Sequence, residues 1–364
     1  KEVLGPDAES VALAWRFPGV SDKDFEILQV VSQVLYNGKA GLIDLDLNQQ
    51  QKVLNSYGYP MGLADYSAFI LGGLPKQGQT LEEVKDLLLN EIKKLRAGEF
   101  DEKMLQANIN NFKLYELQSM ESNEGRADIF VNSFINGTNW EDEVTAIDRM
   151  AKLTKEDIVA FADKYLKEDN YAVVYKKQGK DPNEKKMTKP EITPIVSNRD
   201  VASPFLTSIQ ENAVKPIEPV FLDFKKDMSQ LTAKSDIPVL YKQNTTNDLF
   251  QLIYVFDMGN NNDKALGTAF DYLEYLGTSD MTPEELKSEF YRLACTFYVS
   301  PGNERTYVVL SGLNENMPAA MQLFEKLLAD AQVNKEAYDN LVGDILKARA
   351  DAKLNQGQNF SRLM

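Results

Sequence analysis

Three groups of side chains in this 364-residue chain have types and spacing that could do chemistry. Asp44 and Asp46 lie close in sequence, Asp271 stands one helical turn before Glu274, and Cys295 is the single thiol. Paired carboxylates can share acid and base roles or hold a hard cation weakly. Two carboxylates at i and i+3 are also the ordinary make-up of a solvated helix face, and nothing marks either pair from surface acids. Cys295, after Leu293-Ala294, reads as a small buried apolar side chain. The chain contains no histidine. That excludes a Ser-His-Asp or Cys-His nucleophile pair, His-ligated zinc and an imidazole base. One cysteine excludes internal disulfides, Cys-rich zinc sites and Fe–S clusters.

The surface is acidic, with 40 Lys+Arg against 55 Asp+Glu and a formal net charge of −15. Such a balance argues against binding nucleic acid, which needs a cationic face. Hydrophobic residues at 43% and aromatics at 10% supply ample core material for two domains. No run approaches the roughly 18 apolar residues of a membrane span. Lys1-Glu2-Val3-Leu4-Gly5-Pro6 has no apolar leader region and no initiating Met, so it reads as a cut end. A single cysteine leaves the compartment open.

Those residues are positioned by two helix-and-strand regions flanking a Pro-rich stretch. Six of the 14 prolines (Pro182, Pro190, Pro194, Pro204, Pro216, Pro219) fall between Gly179 and Pro219. Pro removes a backbone donor and holds its predecessor extended, so 179–219 is expected to be an extended linker, solvated around Lys185-Lys186. The expected domains are 1–178 and 220–364. In the first, Ser10 to Phe17 predicts a strand, Asp22 to Tyr36 a helix and Leu42 to Leu54 a second helix. Strands are predicted around Lys52–Tyr59 and Asp65–Leu71. Thr80-Leu81-Glu82-Glu83 is a capping box opening a helix closed by Gly98. Helices follow over Asp101–Met120, Asn123–Ile135 and Thr154–Leu166, then a strand over Tyr171–Tyr175. Tyr57, Tyr59 and Tyr66 read as strand-packing aromatics rather than a ligand-stacking platform.

The same order returns after the linker. Leu249–Phe256 predicts a strand, Lys264–Tyr275 a helix, and Thr282-Pro283-Glu284-Glu285 caps another. Strands over Thr296–Ser300 and Arg305–Ser311 and a helix over Pro318–Asp330 complete it. One offset links the copies: Phe17, Tyr36, Gly38, Leu71, Gly73 and Leu74 map onto Phe256, Tyr275, Gly277, Leu310, Gly312 and Leu313. An internal duplication explains both the shared offset and the shared order. It implies that the second copy stops short at Met364, with a sheet lacking a strand and apolar helix faces exposed.

The segment Asp271-Tyr272-Leu273-Glu274-Tyr275, followed by Gly277-Thr278, sits between a strand and a capped helix. In that setting it resembles the H-x-x-E-H site of the insulinase/pitrilysin family of zinc peptidases, the inverzincins. There two His bind zinc, the Glu activates the zinc-bound water, and a Glu on a later helix completes the site. By the resemblance only Glu274 survives, Asp271 and Tyr275 occupy the two His positions, and the third ligand position falls on Ile345 or Asp344. Residues 8–178 resemble the non-catalytic domain that follows the catalytic one. Ala14-Trp15-Arg16-Phe17-Pro18-Gly19, Ser21-Asp22-Lys23-Asp24, Leu35-Tyr36-Asn37-Gly38, Gly98-Glu99-Phe100-Asp101-Glu102 and Leu153-Thr154-Lys155-Glu156-Asp157-Ile158 carry it. Ala40-Gly41-Leu42 stands where the family often has Ser-Arg-Leu, so no substrate role is carried over for that Arg.

The resemblance implies an α+β fold of two tandem units, each a mostly antiparallel sheet with helices on one face. It implies the non-catalytic second domain, the inter-half linker and part of an inactive third domain of a zinc peptidase, with no metal or catalytic residue in this chain. Zinc and hydrolysis would belong to an upstream H-x-x-E-H domain of the same polypeptide, or to a partner subunit. Extended peptides would be the substrates, and the bacterial periplasm the compartment. The alternatives are a non-catalytic subunit of a heteromeric peptidase, a scaffold protein unrelated to proteolysis, and an enzyme using carboxylates alone.

Overall fold

Val11, Leu13, Trp15 and Phe17 alternate with Ala12, Ala14 and Arg16, which gives an extended strand one uniformly apolar face. In the computed structural model, which describes all residues other than 183–186, 196 and 198, these four side chains are buried. The first repeat comprises β1 (Glu2–Gly5), β2 (Ser10–Pro18), β3 (Asn55–Met61), β4 (Tyr66–Leu74) and β5 (Tyr171–Gln178), in the sheet order β1-β5-β2-β4-β3. Its pairings are antiparallel except for β1 with β5. Its helices are α1 (Lys23–Leu35), α2 (Leu81–Arg96), α3 (Lys103–Ser119), α4 (Asn123–Asn136), α5 (Trp140–Val144), α6 (Ala146–Met150) and α7 (Lys155–Tyr165). Leu28, Val31 and Leu35 of α1, and Val84, Leu88 and Leu95 of α2, join the β2 side chains in one core. The predicted capping box at Thr80–Glu83 is present, as is a second at Thr154–Asp157.

One element differs from the sequence expectation. Leu42–Leu54 is not a helix of that length: only the short π-helix Asp44–Gln49 forms. Gln51 takes φ 50°, and the Asn48 side chain donates to Ser56 O at 2.8 Å while accepting from Ser56 N. Those bonds turn the chain into β3 and end the helix early. The aromatics of β3 also point outward. Tyr57 packs over Gly72, where a Cβ would come within 2.2 Å of the Tyr57 ring, while Tyr59 and Tyr66 are exposed, with the Arg16 guanidinium 4.8 Å above the Tyr66 ring. Tyr57 thus packs on its sheet as expected, and Tyr59 and Tyr66 do not join the core.

Lys1–Asp181 and Thr246–Met364 form one compact unit, and Pro182–Thr245 a second. The second unit contains α8 (Pro204–Gln210), capped by the Ser203 hydroxyl, and the hairpin β6 (Ser229–Thr232) with β7 (Pro238–Tyr241). Helix α8 therefore lies within the stretch expected to be extended. Lys185 and Lys186 lie outside the described residues.

The second repeat contains β8 (Leu249–Phe256), β9 (Cys295–Pro301) and β10 (Thr306–Leu313), in the order β8-β10-β9. Its helices are α9 (Leu266–Leu273), α10 (Pro283–Arg292), α11 (Met317–Asp330), α12 (Lys335–Ala352) and α13 (Gln356–Leu363). The duplication extends to hydrogen-bond register. Leu13 and Gly58 both face Leu71 in the first sheet, and Leu252 and Phe297 both face Leu310 in the second. Each of the three later residues lies 239 positions after its counterpart. Because a one-residue slip would turn every side chain to the other face, this identity of register keeps the apolar faces aligned in both copies. Gly312, the counterpart of Gly73, takes φ 154°, and a Cβ there would meet Ala294 O at 2.3 Å. Among the described residues no strand corresponds to β5, and Tyr338, Leu346, Phe360 and Leu363 on α12 and α13 are exposed. The protein is an α+β fold: each repeat is a mostly antiparallel sheet with helices packed against it, and the β6–β7 hairpin forms a third, two-stranded sheet among the described residues.

Candidate functional site

The segment Asp271–Tyr275 lies where α9 ends. The helix stops at Leu273, with Glu274 as its C-cap, so Tyr275 is already in the turn that follows. An H-x-x-E-H pair needs i and i+4 on one continuous helical face, and Asp271 and Tyr275 do not share one here. Asp271 and Glu274 are exposed and Tyr275 is half-buried. Burial, followed by the negative charges of Glu274, Asp344 and Asp271, pushes the Tyr275 hydroxyl above its usual pKa. Asp344 and Ile345 both lie on α12. The Asp344 carboxylate is 3.2 Å from Lys76 Nζ, a lysine of the first repeat. Burial raises the Asp344 pKa and Lys76 opposes that. Among the described residues no group of three or more His, Cys, Asp or Glu could hold a metal ion.

Beside this segment lies a small cleft, open to solvent, with a volume of about 80 Å³. Its lining includes Glu274, Lys287, Cys295, and Gly38 and Lys39 of the first repeat. The Cys295 thiol is buried, donates to Leu293 O at 3.4 Å and is pushed up to about 11 by burial, so it carries little thiolate at neutral pH. This agrees with its reading as a structural cysteine.

The loop that brings Gly38 and Lys39 to the cleft is held by Asp44. Its Oδ2 accepts from the backbone N–H of Asn37 at 2.8 Å, Gly38 at 3.1 Å and Gly41 at 3.0 Å. Asp44 is buried, which corrects its reading as a surface acid, and burial pushes it up to about 6 against the opposing pull of those three N–H groups and Lys287. Asp46 is not its acid–base partner: it pairs with Lys94 Nζ at 2.6 Å, which also holds the buried Glu91 at 3.0 Å. Burial raises the Glu91 pKa. No sequence signal marked Asp44, because its partners are main-chain amides. Lys287 is equally unmarked, since in the sequence it is one more lysine on a capped helix.

A polar seam joins the two repeats next to the cleft. The Tyr291 hydroxyl donates to Asn108 Oδ1 at 2.9 Å, and Asn111 Nδ2 donates to Tyr291 O at 2.8 Å. Gln49 Nε2 reaches Glu274 O at 3.3 Å and Gln51 Nε2 reaches Ala337 O at 3.2 Å. Tyr291→Phe deletes the hydroxyl and leaves the fully buried Asn108 carbonyl without its donor. The expected loss is about 1–3 kcal/mol in thermal or urea denaturation, and an unchanged midpoint would contradict a buried seam.

Residues 1–112 match the family model described as the peptidase M16 inactive domain. No curated protein matches the chain. Among solved structures it is similar to a protease from Helicobacter pylori, at 23% identity over 48% of this chain and 43% of that one, TM-score 0.45. It is similar to the peptidase M16 inactive domain from Pseudomonas fluorescens, at 16% identity over 49% and 43%, TM-score 0.42. The periplasmic protease PqqL from Escherichia coli aligns over 100% of this chain and 43% of its own, at 13% identity and TM-score 0.37. The chain thus spans under half the length of each of these three. The match over residues 1–112 agrees with the insulinase-like resemblance carried there by Ala14–Gly19, Leu35–Gly38 and Gly98–Glu102.

Proposed function

We propose that this chain is the non-catalytic part of a zinc metallopeptidase, forming chamber wall and substrate contacts around extended peptides. The observation that carries this reading is the match of residues 1–112 to an inactive peptidase domain. The repeated strand register supports placing a second, degenerate peptidase-like unit over residues 220–364, with 1–178 as the domain before it. Asp271, Glu274 and Tyr275 stand at the lost motif, and Ile345 or Asp344 at the lost third ligand. In this reading zinc and its H-x-x-E-H helix belong to a domain upstream of Lys1, and the protein works in the bacterial periplasm. Peptides would be held by adding a strand to a sheet edge; β3 and β8 are edge strands of their sheets.

The test is an assay of the longer polypeptide with an unfolded peptide, with zinc and then with a chelator. Chelator-sensitive cleavage, together with an H-x-x-E-H sequence encoded before Lys1, is the expected result. A longer polypeptide without that motif, inactive alone but active with a second subunit, would instead make this chain a lending partner. Failure of every such protein to bind extended peptides would leave only a scaffold role and would overturn the proposal.

A further inference from the structure

The cleft beside the lost motif has the chemistry of a small-molecule site. Leu273, Leu276, Leu286, Phe290, Phe297 and Leu327 give it apolar walls. Two cationic side chains, Lys39 and Lys287, enter the lining, and Glu274 is its one carboxylate, so the lining carries a surplus positive charge. The Lys287 ammonium has no ion-pair or hydrogen-bond partner among the described residues. Its nearest aromatic group is the Tyr275 ring, 5.8 Å from Nζ to the centroid. Burial lowers the Lys287 pKa, with Lys39 adding to the effect and Glu274 and Asp44 opposing it. Glu284 opposes it as well, but none of these carboxylates contacts the ammonium, and an anion arriving from solution would offset the cost of its partial desolvation.

We propose that this cleft binds a small apolar monocarboxylate, its hydrocarbon part against the Leu and Phe walls and its carboxylate on Lys287. A cleft with this lining can take an apolar body against its walls and fix it by a few convergent polar groups. A carboxylate matches the surplus charge, whereas an amine of the same shape would face Lys287 with like charge. The inference does not depend on the chain's role in proteolysis. The same chemistry occurs in a free aliphatic acid and in the C-terminal residue of a peptide.

Calorimetric titration of the whole chain tests it with four probes: hexanoate, hexylamine, a short peptide ending in leucine carboxylate, and the same peptide as its C-terminal amide. The expected result is saturable one-to-one binding of hexanoate or of the acid peptide, with hexylamine and the amide not binding. Tighter binding of the acid peptide assigns the site to chain termini; binding of hexanoate alone assigns it to free acids. Lys287→Met, which keeps length and apolar volume, should weaken that binding by about tenfold or more, the cost of losing a charge-assisted hydrogen bond. Lack of binding by both acids, equal binding of hexylamine, or undiminished binding by a folded Lys287→Met chain would overturn the proposal. The comparison of acid with amine on the unmodified chain decides it if that variant does not fold.

Discussion

Phe324→Ala is expected to destabilise the second repeat by about 3–5 kcal/mol, the range for deleting a large buried aromatic side chain. Phe324 on α11 is 0% exposed. Its ring centroid lies 4.9 Å from that of Phe297 and 5.9 Å from that of Tyr254, so it bridges both outer strands of the sheet β8-β10-β9. Leu310 of the central strand and Leu323 and Leu327 of the same helix complete the cluster. A three-stranded sheet covered by few helices has little else to close over the void, so the cavity should remain largely open. Urea denaturation followed by near-ultraviolet circular dichroism measures the loss. Phe130→Ala is the control, because Phe130 is 59% exposed even though it stacks on Trp140. Its expected cost is below about 1 kcal/mol. Equal effects of the two substitutions would contradict the assignment of the core.

The second large effect belongs to Asp44. Asp44→Ala removes the acceptor of three backbone N–H groups at once, one of them fully buried, with an expected loss of about 3 kcal/mol. Asp44→Asn keeps an oxygen able to accept those bonds and removes the buried charge. The pH dependence has a definite sign. The carboxyl is raised from 3.8 when unfolded to about 6 when folded, so the folded chain binds the proton more tightly. Its contribution to stability is therefore greatest below about 4, declines as pH rises through about 6, and is constant above that. The total change is about 3 kcal/mol by the usual equivalence of pKa and free energy. Asn at this position does not titrate, so the component of the decline due to Asp44 should vanish. Denaturation midpoints of wild type, Asp44→Asn and Asp44→Ala at pH 4.5 and pH 8 measure it. An Asn variant with the same pH slope as wild type would contradict a raised Asp44.

Much of the fold is legible in the sequence because it rests on periodicity. Leu249–Phe256 is read to the residue, since a short, almost unbroken run of apolar, β-branched and aromatic residues between polar turn residues favours a strand. Thr80–Glu83 and Thr282–Glu285 locate two helix starts for the same local reason. Helix ends are less legible. Lys264–Tyr275 reads as one helix, yet α9 runs only from Leu266 to Leu273, because Gly277 and Thr278 draw the chain into a turn in which Thr278 N bonds Met281 O. Leu42–Leu54 has helical spacing, but Asn48 and Ser56 exchange side-chain bonds that no periodicity records.

The site divides in the same way. The segment Asp271–Tyr275 stands out in the sequence because its resemblance to a helix-borne motif rests on a local pattern. The cleft is not visible, since Lys39 and Lys287 stand far apart in the chain and meet only where the repeats pack. Asp44 is hidden for a related reason: three main-chain amides make it a loop-holding acid, and a sequence does not write where its amides point.

The proposed role as the non-catalytic part of a zinc peptidase requires that this chain alone cleave nothing. The direct measurement is incubation of the purified chain with zinc and an unfolded peptide, sampled by mass spectrometry with and without a chelator. The account predicts an intact peptide in both samples and no zinc bound in stoichiometric amount. Cleavage that the chelator abolishes, by this chain alone, would contradict it.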